Sequence, residues 1–467
     1  MTARAGRRIK ADAPRLAAYD VLRAVAERDA YANLVLPSLL RERGIEGRDA
    51  GFATELAYGT LRWQGLYDAI LATLVSRPLA DLDDGILDIL RLGSHQILMM
   101  RVPEHAAVSA TVDLARTVMT AGPSAMVNAV LRKVTASTAQ EWALKVAPDA
   151  SKDPLGHASI RWSHPRWIVS AFNDALGGDA EQLDALLEAN NTPAAVTLVA
   201  RPGRADPSVF DEIGAEPGRW SPLAGILPSG DPGAWEQVRR GDVGVQDEGS
   251  QLVALALAAV ELDTPSGRET AWLDMCAGPG GKAALLAGLA DEAGAMLTAN
   301  EVREHRAVLV ERALMNAPGH HLVVVADGTD GPWSPESFDR VLVDAPCTGL
   351  GALRRRPEAR WRRSPGDVAS LVPLQRALFI AALDAVRPGG VVAYVTCSPH
   401  IAETVMVVAD VMRGREDVEQ LDARRYLPGV DHLGDGPHVQ LWPHIHGTDA
   451  MFLALVRRRP QQISSGQ

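Results

Sequence analysis

The chain has 467 residues, 47% of them hydrophobic and 22% charged, and its 47 basic residues against 58 acidic ones leave a net charge of −11. That length calls for two or three domains, and the acidic balance argues against a protein that coats nucleic acid non-specifically. The longest apolar run, Leu252 to Val260, falls far short of the ~20 residues that a membrane span needs. The opening MTARAGRRIKADAPR is basic but lacks the apolar stretch of a secretory signal. Cys276, Cys347 and Cys397 have neither the spacing of a zinc site nor the density of a disulfide scaffold. A cytoplasmic, metal-free monomer with reduced thiols is the expectation.

From Ala13 to Val134, apolar residues recur at spacings of three and four through APRLAAYDVLRAVAE, FATELAYGTLRWQGLYDAILATLV, LDDGILDILRLGSHQILMM and SAMVNAVLRKV. Breaks at Gly, Pro and Asp separate these segments, which predicts an all-helical domain over residues 1–140. Residues 141–238 are less periodic. A helix near Glu181 to Glu188 and a strand-like AAVTLVARP at Ala194 to Pro202 predict a small α/β connector module. Over 239–460 the strand-like runs TAWLDM, AMLTANE, HLVVVAD, FDRVLVD and VVAYVTC alternate with helical ones. That alternation predicts an α/β fold with a doubly wound, Rossmann-like sheet, whose ligands bind at the carboxyl ends of the strands.

The first of these strands ends in DMCAGPGGK, Asp274 to Lys282, which matches neither a P-loop nor GxGxxG. Its glycines Gly278, Gly280 and Gly281 still let backbone approach a ligand at a helix N-terminus, with Cys276, Ala277, Pro279 and Lys282 completing the loop. Glu301, closing the next strand, stands where a ribose-diol acceptor belongs, and Asp327, after LVVVA, is placed to meet an adenine edge. Alone, each acid reads as a solvated loop residue; in strand order they point to a nucleoside-containing cofactor.

Two later strands end in cysteine loops, VLVDAPCTG with Asp344 and Cys347, and VVAYVTCSPHIAE with Cys397. A lone cysteine reads as a small buried apolar residue. Two of three cysteines at strand ends beside a cofactor loop point to chemistry instead, and position does not choose between them. After the first loop comes RRRPEARWRR, where Arg354, Arg355, Arg356 and Arg360 crowd around Trp361. The plain alternative is a solvated helix start. The functional reading is a nucleic-acid path, with forked donors for phosphates and an indole for stacking.

DMCAGPGGK, DAPCTGLG followed by RRRPEARW, and VTCSPHIAE resemble the motifs of the NOL1/NOP2/Sun family of RNA cytosine-C5 methyltransferases, over about Gly241 to Arg457. YANLVLPSLL, AYGTLR and MVNAVLRKV resemble the NusB-like domain that the family's bacterial Sun/RsmB branch carries ahead of its catalytic domain. Gly278 and Glu301 depart from the family's usual alanine and aspartate, and Ala450 from the glycine of TDGMF. The resemblance implies S-adenosylmethionine as methyl donor, held by the loop from Cys276 to Lys282 with Glu301, Arg306, Asp327 and Asp344. It implies a cytosine of small-subunit ribosomal RNA as acceptor, with transfer RNA as the competing substrate. It also implies that Cys397 attacks the ring and that Cys347 takes part in product release; Asp344 would steady charge on the base, and Lys282 or helix N-terminal amides would favour the thiolate. A nicotinamide oxidoreductase lacks its GxGxxG here, and a non-catalytic antitermination factor would leave all three loops idle.

Overall fold

The structure is a computed structural model that describes residues 11–119, 122–228, 230–262 and 268–460; the basic opening MTARAGRRIK lies outside them. Contacts divide the chain into two units. One comprises Met1–Asn173, Gly178–Thr192 and Leu353–Arg362, and the other Asp174–Gly177, Pro193–Ala352 and Arg363–Gln467.

The first unit is helical. Ala13–Arg28, Gly47–Arg62, Gln64–Leu74, Asp84–Leu98, Glu104–Val118 and Pro123–Val134 turn their periodic apolar faces onto a core that includes Leu56, Tyr67, Ile70, Leu90 and Leu131. The ends follow the capping residues. Asp12 accepts from the Arg15 amide at 2.9 Å, with Pro14 in the first turn, and Asp83 accepts from the Gly85 amide at 2.9 Å. Helical structure continues to Asn191. Within 141–238, most of the chain up to Thr192 falls in this unit, while helix Val209–Ile213 and the strands fall in the next.

Leu353–Arg362 belongs to the helical unit although it lies far along the chain, and this corrects the expected RNA path. Arg360 is fully buried. Its Nη1 donates to the carbonyls of Arg62 (3.0 Å) and Ser163 (3.0 Å) and to Asn191 Oδ1 (2.9 Å), and its Nη2 donates to the Asn190 carbonyl (3.2 Å). The Trp361 indole N–H donates to the Leu61 carbonyl at 2.7 Å, and Arg354 is buried. Arg360 is thus a packing and hydrogen-bonding element of the helical unit, and Trp361 is half-buried with its N–H committed there. Arg355 is half-buried; Arg356 is exposed and lies over the Tyr31 ring at 5.2 Å.

The second unit is α/β. A small antiparallel sheet holds β1 (Val196–Ala200), β2 (Glu216–Pro217), β3 (Ala224–Leu227) and β4 (Val243–Val245) in the order β2-β3-β1-β4. The large sheet contains β5 (Ala271–Asp274), β6 (Met296–Asn300), β7 (His321–Val324), β8 (Phe338–Asp344), β9 (Val386–Thr396), β10 (Val418–Leu421), β11 (Val439–Gln440) and β12 (Phe452–Arg458). Its order is β10-β12-β9-β8-β5-β6-β7, with β11 beside β12. β7, β6, β5, β8 and β9 run parallel, and β12 returns antiparallel to β9. This is the expected doubly wound sheet, closed on one side by an antiparallel hairpin-like edge.

The runs that form the central strands are apolar on both faces because helices cover both. Helix Pro365–Ala385 is long and apolar enough, by length and composition alone, to cross a membrane; here Leu378, Phe379, Ala382 and Leu383 pack with Val341, Val343, Val392 and Tyr394. From β5 the chain moves outward to β6 and β7, and it then crosses back to β8 on the other side of β5. That reversal opens a crevice at the carboxyl ends of β5 and β8.

Candidate active site

Four strand ends supply the crevice. β5 delivers Asp274 and the loop to Gly281, where helix Gly281–Glu292 begins. The loop is pinned from beneath: Ala277 N–H donates to the Asn300 carbonyl at 2.8 Å, and Gly280 N–H to the Ala277 carbonyl at 2.7 Å. Gly280 has φ +108°, and a Cβ there would press within 2.6 Å of the Ala313 Cβ, so both conformation and space require glycine.

Beyond β6, Glu301 is nearly buried, and its Oε1 accepts from the Arg303 amide at 2.9 Å. Arg306 pairs with Glu301 Oε2 at 3.4 Å and donates through Nη2 to the Gly278 carbonyl at 2.6 Å. A Cβ at residue 278 would overlap Glu301 Oε2. Two of the three departures noted in the sequence are therefore linked: the longer acid fits where residue 278 carries no side chain. Asp327 stands exposed after β7 and accepts from the Thr329 amide at 2.9 Å and the Thr329 hydroxyl at 2.7 Å. Those bonds hold its carboxyl below the usual carboxylate range.

At the centre, Lys282 Nζ donates to Asp344 Oδ2 at 2.9 Å. Burial opposes the Lys282 charge, but Asp344, with Cys397 and Asp274 nearby, outweighs it and raises the lysine pKa. Asp274 is fully buried; neither carboxylate oxygen closes a hydrogen bond, and the Cys276 amide compensates only in part. Burial first, and then the Asp344 charge, push Asp274 up to about 7 against the pull of Lys282. Burial likewise pushes the Cys276 thiol well up, which suits a loop residue better than a nucleophile.

The two remaining cysteines meet. Cys347 Sγ and Cys397 Sγ are 3.4 Å apart, brought together from the adjacent ends of β8 and β9. The surroundings differ. The hydrogen bond with Cys347 lowers the Cys397 pKa despite burial, and Lys282 favours the same thiolate. Cys347 is pushed well up by that bond, by burial and by the charges of Cys397, Glu403 and Asp344. Gly351 N–H donates to the Cys397 carbonyl at 2.9 Å, and Ala450 N–H donates to the Gly351 carbonyl at 2.9 Å. Ala450, placed where a glycine was expected, needs no left-handed backbone.

Cys347, Cys397, Asp344, Lys282, the glycine loop, Glu301 and Arg306 thus gather at one crevice, with Asp327 at the end of the strand beyond Glu301. Asp274 and Glu403 were not among the candidates, although each lies inside a quoted motif, opening DMCAGPGGK and closing VTCSPHIAE. For a nucleoside-containing cofactor the fit is good. The crevice offers a buried carboxylate without a full partner, an acid and an arginine behind the glycine loop, and a backbone cradle that side chains would fill.

Comparison with known proteins finds two family matches. Residues 260–457 match the family model described as 16S rRNA methyltransferase RsmB/F, and residues 12–136 match the NusB family. "Putative methyltransferase Rv1407" of Mycobacterium tuberculosis is 53% identical over 457 residues, 97% of this chain and 98% of that one. Ribosomal RNA small subunit methyltransferase B of Pseudomonas putida is 31% identical over 423 residues, 88% of this chain and 91% of that one. Among solved structures, PH0851 shares the fold with a TM-score of 0.77 at 20% identity, covering 97% of this chain and 98% of that one.

Proposed function

Because the chain belongs to the RsmB/F family of 16S rRNA methyltransferases and carries a NusB-family domain ahead of its catalytic part, we propose that it methylates C5 of a cytosine in small-subunit ribosomal RNA through a covalent Cys397–C6 bond. As a member of this family it is an S-adenosylmethionine-dependent methyltransferase. The observation that carries the finer reading is the sulfur pair, Cys347 and Cys397 at 3.4 Å, with Lys282 favouring the thiolate of Cys397.

The loop from Cys276 to Lys282, with Glu301, Arg306 and Asp327, would hold S-adenosylmethionine, which supplies an electrophilic methyl group. Cytosine C5 is a poor nucleophile until something adds at C6, and a thiolate is suited to that addition. In the proposed reaction Cys397 forms the S–C6 bond, and the displaced ring electrons make C5 nucleophilic. Asp344 faces the N3 and amino edge and steadies charge there. Once C5 is methylated, its proton leaves with the help of Cys347, the C5–C6 double bond re-forms, and the Cys397 thiolate departs. The base must enter unstacked, because C6 is out of reach inside a helix. Arg355 and Arg356, together with the helical domain, are the candidate RNA contacts, and we place the reaction in the cytoplasm on a monomer.

Bisulfite sequencing of ribosomal and transfer RNA from a strain lacking the protein tests the assignment. The expected result is loss of one 5-methylcytosine from small-subunit ribosomal RNA. Loss confined to transfer RNA would replace the substrate, and no loss at all would sink the C5 reading.

A further inference from the structure

Glu403 is fully buried, in the turn after Cys397. Its Oε1 accepts from the Thr348 amide at 2.8 Å and from Gln375 Nε2 at 3.1 Å. Its Oε2 accepts from the Ser398 hydroxyl at 2.6 Å and from the Thr348 hydroxyl. Gln375 Nε2 also donates to the Pro346 carbonyl at 2.9 Å, and Tyr394 Oη donates to the Glu403 carbonyl at 2.8 Å. Thr348 follows Cys347, and Ser398 follows Cys397. One carboxylate therefore bonds the residue after each cysteine, across 50 positions of sequence.

A buried carboxylate costs several kcal/mol unless its oxygens are hydrogen-bonded. Glu403 meets that condition only while both loops are in place, so the loops and the acid specify one another. The proposed reaction assigns no bond or proton to an acid at this position, and both Glu403 oxygens are already taken by hydrogen bonds from the loops. Other bonds join the same loops, with the Gly351 amide on the Cys397 carbonyl at 2.9 Å and the Thr348 and Ser398 hydroxyls 3.2 Å apart, and Glu403 adds a side-chain bond to each loop.

We propose that Glu403 is a positioning residue that clamps the Cys347 and Cys397 loops in register and keeps the two sulfurs at hydrogen-bonding distance. Its negative charge has a second effect in the same direction, since it opposes ionisation of Cys347 and leaves the thiolate to Cys397. The inference rests on the reading that the two cysteines act as a pair, but the geometry can be tested without RNA or cofactor.

The test is closure of a Cys347–Cys397 disulfide by diamide in the full-length protein, followed by mass spectrometry of non-reduced peptides. Wild type and Glu403→Gln, which keeps an acceptor for the Thr348 amide, should close at similar rates. Glu403→Ala should close about tenfold more slowly, and its methyl transfer should fall ~100-fold, the order expected for loss of alignment. Its affinity for S-adenosylmethionine, measured by calorimetry, should stay within about twofold, because the clamp lies away from the glycine loop. Closure of Glu403→Ala at the wild-type rate would overturn the proposal. Should that variant not fold, the pair Thr348→Val and Ser398→Ala decides instead: slowed closure supports the clamp, and unchanged closure rejects it. Glu403-dependent closure without any cytosine methylation would leave the clamp standing and remove the reaction assignment.

Discussion

Two buried charges, Arg360 in the helical unit and Asp274 in the α/β unit, resemble each other in burial and differ in what meets them. Arg360 has four acceptors for its two terminal nitrogens, three of them backbone carbonyls of its own unit. Asp274 has no full hydrogen bond to either oxygen, and its nearest charges, Lys282 and Asp344, are committed to each other. A charge whose two terminal nitrogens are met by its own fold, with only Nε left over, is structural. A charge left incompletely met at the end of a parallel strand, beside a glycine loop, marks a place where the fold awaits something else.

The comparison can be broken or sharpened by experiment, beginning inside the crevice. Cys397→Ala should abolish methyl transfer, a loss of ~10³-fold or more, together with any RNA adduct on denaturing gels. Cys347→Ala should instead accumulate that adduct, and the reverse pattern would exchange the two roles. On the other side, Arg360→Met should destabilise the protein by about 1–3 kcal/mol, the cost of leaving buried carbonyls without their donor. A chemical denaturation series reads that loss, and cofactor affinity should be untouched.

Gly278→Ala should weaken S-adenosylmethionine binding by roughly tenfold, because the new methyl displaces Glu301, and Glu301→Asp in the same chain should recover part of the loss. Additive effects in calorimetry would show that the two positions are independent. Asp274→Asn has a signed pH dependence. The folded protein holds this carboxyl up at about 7, so its contribution to stability is greatest below the ordinary carboxylate pKa and is lost as pH rises through 7. The substitution should therefore raise the melting temperature at pH 8.5, with a gain that shrinks by pH 5.5; a flat difference would mean that the carboxyl titrates normally. The smallest effect is expected at Arg356→Ala, which should weaken RNA binding a few-fold and reduce its salt slope by about one, with cofactor binding unchanged.

Much of this architecture is legible in residue order. The 3.6-residue apolar periodicity marks the helical unit, and short strands between helices mark the sheet. The ends of those strands carry Asp344, Cys347, Cys397 and the glycine loop, because a parallel sheet presents its carboxyl ends on one edge. What stays hidden depends on contacts between distant segments. The run around Arg360 looks like a solvated basic surface, since nothing local reveals that carbonyls of residues 62, 163 and 190 converge on one guanidinium. Glu403 reads as the tail of a motif until β8 and β9 are known to be neighbours. The Gly278 and Glu301 departures look unrelated in sequence and become one packing decision only when residue 278 is seen against the carboxylate.

The segment Leu353–Arg362 also bears on how such a protein could be cut and recombined. Residues 1–192 look like a detachable module, yet the body they form is completed by ten residues encoded well inside the following domain. A graft ending at Thr192 would carry the carbonyls of Arg62, Ser163 and Asn190 without the guanidinium that donates to them. Exchange of this domain between relatives requires two inserts to travel together, and a gene truncated at the apparent boundary should yield product that aggregates unless a peptide spanning 353–362 is supplied alongside it.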